Sequence, residues 1–313
     1  MSNYIGIDTS NYTSSCAVYD SVNDEMISLK KLLPVAQGQL GLRQSDAVFH
    51  HTKNLPPLLS DLCLQINDEV SVVSASYAPR DAEGSYMPCF SVGEGFASVL
   101  SSAYRAKLCK FSHQAGHIAA ALWSTGQTQL VEREFIAFHV SGGTTDVLYV
   151  RPDTDNVFSI EMIGSSLDLK AGQAVDRVGG MLNLGFPSGP ALDDLATKSE
   201  KHFRVKPFFK DGCCSFSGVE NKCRNMADSA EPASDIAKYC IDYICEAVRL
   251  MTKSAIEKKG NLPLIFAGGV MSNSIINKTL SDEFGAHFAP AKFSSDNAAG
   301  TAYLGFIKET RKW

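Results

Sequence analysis

The sequence predicts an α/β protein with two lobes, and three observations support this. Short runs rich in β-branched and aromatic residues alternate with longer runs in which apolar residues recur at helical spacing. A strand, a turn of glycine or hydroxyl residues and a return strand occur near the N-terminus and again after residue 134. The chain has 313 residues, 44% of them hydrophobic, and this length suits two lobes better than one compact unit.

The first αβ block starts with a predicted hairpin and continues with helical segments. Pro56 and Pro57 are expected to interrupt the helical run, because proline lacks the N–H group that a helix interior uses. In order, the predicted elements are strands 4–10 and 15–19, helical segments between 46 and 67, a strand at 70–77 and a helix at 90–106.

The second block restarts near Lys110 with a helix that carries His113 and His117. Residues 225–235 are mostly small and polar, which predicts an exposed loop. The other predicted elements are strands 134–140 and 146–150, helices at 168–184 and through 192–196, a long amphipathic helix through 236–251 and a buried strand at 262–267.

Charge and cysteine content narrow the class of protein. The net charge of −5 provides no global basic field, so binding a nucleic acid would need a local basic patch or a partner. The nine cysteines form no CxxC pair, and the first residues lack the basic and apolar regions of a signal peptide. No run reaches the ~18 apolar residues of a membrane span. We therefore expect a soluble, cytoplasmic protein that does not associate with membranes.

His113 and His117 lie four residues apart on the predicted helix, so both imidazoles point to one face. Spacing alone leaves open whether they bind a divalent metal or are incidental histidines. An anionic oxygen would complete a two-histidine, one-carboxylate set, which suits iron(II) and, less selectively, zinc. Asp296 precedes a predicted helix, and its spacing favours an N-cap.

Two glycine turns, Ser141–Gly143 and Gly268–Val270, each follow a predicted strand, so unhindered backbone can approach a phosphate or a purine. Each one taken singly is typical of an ordinary tight turn. Together with residues 185–190 they predict a nucleotide site. His139 ends its strand directly before the first turn, a position that favours a hydrogen-bonded strand-end histidine over a ligand.

Eight ordered motifs extend over nearly the whole chain. They are GIDTS at 6–10, HQAGH at 113–117, VSGGTT at 140–145, AGQAVDRV at 171–178, GFPSGPALDDLA at 185–196, CSFSGVENK at 214–222, AGGVMSN at 267–273 and SDNAAG at 295–300. On these motifs the chain resembles the tRNA N6-adenosine threonylcarbamoyltransferases of TsaD type, formerly called glycoproteases.

The resemblance implies the fold shared by actin, sugar kinases and Hsp70. That fold has two lobes, each a mixed sheet flanked by helices, with the nucleotide in the cleft. The expected N-terminal lobe covers residues 1–109 and the C-terminal lobe, which carries the metal and nucleotide site, covers residues 110–299. A helix at 300–313 is expected to pack back on the first lobe.

The resemblance also implies the site residues. The metal ligands would be His113, His117 and Asp296, and His139 is added as a hypothesis because some members place a metal-reaching tyrosine there. The nucleotide or its acyl group would contact His139, Val140, Ser141, Gly142, Gly143, Asp176, Gly189, Asp193 and Asn273. The residues expected to act in catalysis are Asp8, Ser141, Gly142 and Gly143.

The implied reaction transfers a threonylcarbamoyl group from threonylcarbamoyl-AMP to N6 of the adenosine beside the tRNA anticodon. The expected ligands are one divalent metal, iron or zinc, and ATP, AMP or threonylcarbamoyl-AMP. Because the chain is acidic, partner proteins would help to hold tRNA. The N-terminal lobe would form a heterodimer with a related actin-like subunit, or a homodimer.

Four features depart from the family pattern. Ala115 replaces the usual acidic residue between the histidines, Tyr12 replaces an acidic residue in the first turn, residues 77–81 replace a glycine-rich loop, and Thr144 replaces a His or Asn. These changes motivate an alternative, a paralogue that keeps metal and nucleotide but acylates or carbamoylates another acceptor or hydrolyses ATP. A second alternative is a non-catalytic scaffold paired with a true member. Peptidase activity is disfavoured, because a zinc protease would need the glutamate of an HExxH helix.

Overall fold

The computed structural model describes residues 2–10, 12–34, 42–294 and 297–311. Within these ranges the strands are β1 (Ser2–Ser10), β2 (Thr13–Asp20), β3 (Glu25–Leu32), β4 (Glu69–Ala78), β5 (Lys107–Ser112), β6 (Phe135–Val140), β7 (Thr145–Asp153), β8 (Val157–Ser165), β9 (Phe209–Lys210), β10 (Cys213–Cys214), β11 (Leu264–Ala267) and β12 (His287–Phe288). The α-helices are α1 (Gln44–Cys63), α2 (Phe90–Tyr104), α3 (His113–Ser124), α4 (Ala171–Met181), α5 (Gly189–Ala196), α6 (Ser217–Asp228), α7 (Ala233–Lys259), α8 (Ser274–Phe284), α9 (Ala291–Ser294) and α10 (Asn297–Thr310). Two short 3-10 helices cover Thr128–Glu132 and Gly269–Ser272.

The chain divides into two compact units. Unit 1 comprises residues 1–128, 152–159 and 295–313, and unit 2 comprises residues 129–151 and 160–294. Helices α3 and α10 therefore belong to unit 1, whereas the expected boundary at residue 110 assigned α3 to the second lobe. Two five-stranded sheets flanked by helices confirm the predicted α/β class.

Unit 1 is built on a mixed sheet with the strand order β3-β2-β1-β4-β5. Strand β1 pairs antiparallel with β2 and parallel with β4, and β5 continues the parallel part. Ile5 and Ile7 of β1 lie in the core. Gly6 lets α10 pack directly on this strand, because a Cβ there would lie 2.1 Å from the carbonyl oxygen of Ala298.

Helix α1 continues without a break through Pro56 and Pro57, so the expected interruption is wrong. Each proline removes a backbone hydrogen bond from the helix. The buried side chains of Leu55, Leu59 and Leu62 nevertheless hold this part of α1 in the core of unit 1. Core packing therefore outweighs the lost backbone bonds.

The second sheet has the strand order β12-β11-β6-β7-β8, with β11 parallel to both β6 and β12. The rings of Phe138, Phe266 and Phe288 stack across these three strands, with centroid separations of 4.3 and 4.8 Å. The apolar face of α7 joins the same core. Because Ala267 pairs with His139, β6 and β11 end side by side.

Most of residues 225–235 are helical, so the loop predicted there is wrong outside residues 229–232. Helix α6 extends to Asp228 because Cys223 and Met226 continue its buried face. Helix α7 begins at Ala233, and the carboxylate of Asp235 binds Lys201 Nζ at 2.7 Å. The polar composition of this segment reflects helix ends and an ion pair.

All nine cysteines are free thiols. Cys214 is fully buried and packs in the core of unit 2. Across the described residues, no helix combines the length and hydropathy that crossing a membrane requires.

Candidate functional site

His113 and His117 converge within unit 1. Helix α3 starts at His113, directly after β5, and the Nε2 atoms of the two rings are 3.1 Å apart. Two nitrogens bound to one zinc ion at the usual Zn–N distance of about 2.0–2.1 Å would be about 3.3 Å apart. The pair therefore fits two ligands of a single divalent ion.

A buried carboxylate orients the first histidine. His113 Nδ1 donates to Asp8 Oδ1 at 2.9 Å, and Asn297 Nδ2 donates to the same oxygen at 3.0 Å. Burial alone would raise the pKa of Asp8, but the charge and hydrogen bond of His113 outweigh it and hold that pKa well below its usual range. Metal-binding histidines commonly donate their other N–H to a carboxylate in this way. Asp8 therefore acts on His113, and its implied role in catalysis stays a prediction.

Two glycines bring Asn297 to this site. A Cβ at Gly116 would lie 2.5 Å from Asn297 Oδ1, and a Cβ at Gly300 would lie 1.8 Å from the Gly116 carbonyl oxygen. Helices α3 and α10 thus touch backbone to backbone, which places Asn297 beside Asp8. In the sequence, Asn297 stands out only as part of the SDNAAG motif at 295–300. The pattern that could have indicated its role is its position at the start of a helix, three residues before Gly300.

Asp296 and His139 are the other two predicted ligands. Asp296 lies outside the described residues. His139 lies at the end of β6 in unit 2, nearly buried, opposite Asp146 of β7. The described part of the chain contains no group of three or more histidine, cysteine, aspartate or glutamate side chains placed to hold one ion. Ligation by Asp296 and His139 stays a prediction.

The two glycine turns lie side by side in unit 2. The turn Ser141–Gly143 follows β6, Gly268 follows β11, and these parallel strands end at the same edge of the sheet. Gly268 has a φ of 101°, and a Cβ there would lie 2.2 Å from the Val140 carbonyl oxygen. A larger residue could not make this turn. The carboxyl edge of parallel strands is where open α/β sheets bind ligands.

The turn after β6 is closed by its own serine. Ser141 N donates to the Thr144 carbonyl oxygen at 2.7 Å, and Thr144 N donates to Ser141 Oγ at 3.2 Å. The N-terminus of α4 abuts the turn, since Gly172 N donates to the Ser141 carbonyl oxygen at 3.2 Å. Gly142 and Gly143 are exposed, so their backbone can face an anion.

A cavity of about 490 Å³ lies in unit 2, within the range typical of small-molecule and cofactor sites. Its lining includes five predicted nucleotide-binding residues, namely Gly142, Asp176, Gly189, Asp193 and Asn273. Val140, also predicted to bind the nucleotide, is almost fully buried in the core.

The three polar residues of this set differ in which of their side-chain atoms are already hydrogen-bonded within the protein. Asp176 Oδ1 accepts from Ser188 N at 2.9 Å, and burial raises the pKa of this carboxyl. Both oxygens of Asp193 accept from Ser274, each at 2.9 Å. Asn273 Oδ1 caps α8, which leaves its Nδ2 group for a ligand. Asp176 is therefore the acidic residue best suited to hydroxyl groups.

Sequence reasoning missed a buried polar cluster around His51 in unit 1. His51 Nδ1 and Ser14 Oγ are 2.8 Å apart, and Asn54 Nδ2 donates to the same hydroxyl at 3.4 Å. His51 Nε2 has no hydrogen-bond partner among the described residues. Burial lowers the pKa of His51 to about 4.

This shift predicts acid sensitivity. The ordinary histidine pKa is about 6.5, so below that pH the unfolded chain takes up a proton that folded His51 does not. The free energy of unfolding should fall by about 3 kcal/mol between pH ~6.5 and ~4 from this residue. In urea titrations His51→Gln should flatten this pH dependence, whereas His50→Gln should keep it. Parallel pH profiles for wild type and His51→Gln would contradict the assignment.

Comparison with known sequences identifies relatives of the whole chain. A family model described as tRNA N6-adenosine threonylcarbamoyltransferase matches residues 36–303. The tRNA N6-adenosine threonylcarbamoyltransferase of Mycoplasma mobile is 28% identical, over 97% of this chain and 97% of its own length. The protein of the same name from Archaeoglobus fulgidus is 26% identical, over 97% of this chain and 90% of its own length.

Two solved structures share the fold at low sequence identity. Component A of the Acidaminococcus fermentans (R)-2-hydroxyglutaryl-CoA dehydratase aligns with a TM-score of 0.56 and 14% identity, covering 99% of this chain and 100% of its own. Full-length HypF, in its phosphate- and nucleotide-bound form, aligns with a TM-score of 0.59 and 12% identity, covering 99% of this chain and 56% of its own. The predicted actin-like fold of two mixed sheets flanked by helices is confirmed.

Proposed function

The chain belongs to the tRNA N6-adenosine threonylcarbamoyltransferase family, a family of acyltransferases, and from this we propose its reaction. It transfers the threonylcarbamoyl group of threonylcarbamoyl-AMP to N6 of the adenosine beside the tRNA anticodon. The observation that carries this proposal is the cavity of unit 2, where two glycine turns at one sheet edge and the carboxylate of Asp176 suit an AMP moiety.

In the proposed reaction the N6 amine attacks the carbamoyl carbon. The bond from that carbon to the phosphate oxygen breaks, AMP leaves with the electron pair, and the proton of the attacking amine passes to solvent. The backbone amides of the exposed residues Gly142 and Gly143 donate to oxygens that gain charge. Asp176 accepts hydrogen bonds from ribose hydroxyls. Holding the donor in place matters because the adenosine amine is a weak nucleophile.

His113 and His117 would hold the divalent ion, iron or zinc, with Asp8 fixing the ring of His113 through Nδ1. Such an ion supplies Lewis-acid polarisation of an acyl or phosphate oxygen when bound. We propose Asp296 as the anionic ligand and His139 as a further one. The acidic chain acts with partner proteins that hold the tRNA, and its N-terminal lobe pairs with a related actin-like subunit or a second copy.

The direct test incubates the purified protein with threonylcarbamoyl-AMP, unmodified tRNA and candidate partners, followed by mass spectrometry of the tRNA nucleosides. Threonylcarbamoyl-modified adenosine is the expected product. Its absence with every partner set would overturn the proposal. Release of AMP without modified tRNA would instead favour another acceptor or hydrolysis.

Asp176→Asn tests the nucleotide site. The amide keeps an oxygen that can accept from Ser188 N but loses the charge that holds ribose hydroxyls. We expect AMP to bind about 10-fold more weakly by isothermal titration calorimetry. Asp282→Asn, on the exposed face of α8, is the matched control and should bind AMP like wild type. Equal affinity of Asp176→Asn and wild type would remove Asp176 from the site.

A further inference from the structure

The loop after β4 is tied to the first turn of α3 by a chain of hydrogen bonds. Ser112 Oγ donates to Asp81 Oδ2 at 2.5 Å, and Ala115 N donates to the same hydroxyl at 3.2 Å. Gln114 N donates to the Pro79 carbonyl oxygen at 3.0 Å. Two N–H groups that a helix start leaves unpaired are therefore satisfied by this loop and by the serine that it holds.

We infer that Asp81 is a positioning residue for the histidine pair, acting through the N-cap Ser112. Ser112 is the N-cap of α3, and a capping box would place a glutamate or glutamine three residues later. That position is Ala115, so α3 lacks the glutamate or glutamine that would complete a capping box. Asp81 supplies the carboxylate from outside the helix. Its negative charge also interacts favourably with the positive N-terminal end of the helix dipole.

The side chain of Asp81 is itself held on both oxygens. Its Oδ2 accepts from Ser112, and its Oδ1 accepts from the Tyr77 hydroxyl at 2.8 Å. Tyr77 lies at the end of β4, the central parallel neighbour of β1 and β5. The carboxylate is thus fixed to the sheet on one side and to the helix cap on the other.

This connection matters because His113 is the first residue of α3. The 3.1 Å separation between its Nε2 and that of His117 requires an intact first turn. Without Asp81 the Ser112 hydroxyl can rotate away from Ala115 N, and the turn that carries His113 can fray. His117 lies one turn further in and is held by the body of the helix.

The effect of Asp81 on metal affinity rests on the proposed function, because it assumes the metal site. Its effect on the first turn of α3 does not depend on that proposal. In the full-length protein, Asp81→Ala should weaken zinc binding about 3- to 10-fold, measured by competition with a chelator. It should also accelerate hydrogen exchange at the amides of Gln114 and Ala115. Asp81→Asn keeps an acceptor for Ser112 and should recover most of the affinity. Glu83→Ala, an exposed acidic residue of the same loop, should change neither quantity.

A double-mutant cycle separates positioning from a general loss of stability. If Asp81 acts through Ser112, Asp81→Ala should have no further effect on zinc affinity or amide exchange in the Ser112→Ala background. Additive effects, or wild-type zinc affinity in Asp81→Ala, would overturn the inference. A wild-type protein that binds no zinc would overturn the proposed metal site instead. The exchange of Gln114 and Ala115 in the same cycle would then decide the role of Asp81.

Discussion

His113→Ala is expected to abolish stoichiometric metal binding and to slow threonylcarbamoyl transfer on the order of 10³-fold. The change removes one of two converging nitrogens and also the partner of buried Asp8. An unpaired buried carboxylate costs about 3 kcal/mol or more, so the free energy of unfolding should fall as well. Metal content by mass spectrometry and urea titration measure the two effects.

His117→Ala provides the matched comparison. It removes a ligand but leaves the bond between Asp8 and His113 in place, so metal should be lost with much less loss of stability. His202→Ala, at an exposed position in unit 2, should retain both metal and stability. Full metal occupancy in His113→Ala and His117→Ala would refute the site.

Among the described glycines, Gly300 should show the largest loss of stability on substitution by alanine. The new Cβ would lie 1.8 Å from the Gly116 carbonyl oxygen, and neither backbone can move without separating α10 from α3. We expect the free energy of unfolding to fall by about 3 kcal/mol or more, with a lower urea midpoint and poor soluble yield.

Gly95→Ala is the control for this prediction. Gly95 also lies in a helix of unit 1, but a Cβ there would meet no atom within 4 Å. Alanine should therefore stabilise α2 by about 0.5–1 kcal/mol through helix propensity. Wild-type stability in Gly300→Ala would show that the two helices do not depend on this contact.

Local patterns in the sequence predicted the parts of the site that depend on local geometry. The i, i+4 spacing placed His113 and His117 on one face of α3, and strand-then-glycine patterns located both turns in unit 2. The cap made by Asn273 also has a local signature, a polar residue directly before a helix. Its oxygen is committed to that cap, which the motif alone did not reveal.

The remaining features depend on contacts between distant segments. Asp8 lies 105 residues from His113 and 289 from Asn297, so no local periodicity could place the three together. The effect of Pro56 and Pro57 was misjudged because the core contacts of the neighbouring leucines outweigh the local preference of proline against a helix. Residues 225–228 were misjudged for the opposite reason, since their polar composition concealed the buried Met226.

The packing of α10 makes unit 1 depend on a segment far along the chain from its first strands. Unit 2 contains no residue beyond position 294, so none of its residues belongs to α10. Unit 1, in contrast, depends on two residues of α10. Asn297 hydrogen-bonds to Asp8 beside His113, and Gly300 lets the backbone of α10 pack against that of α3. A chain that ended before α10 would therefore contain every residue of unit 2 but would lack the helix that closes the first sheet.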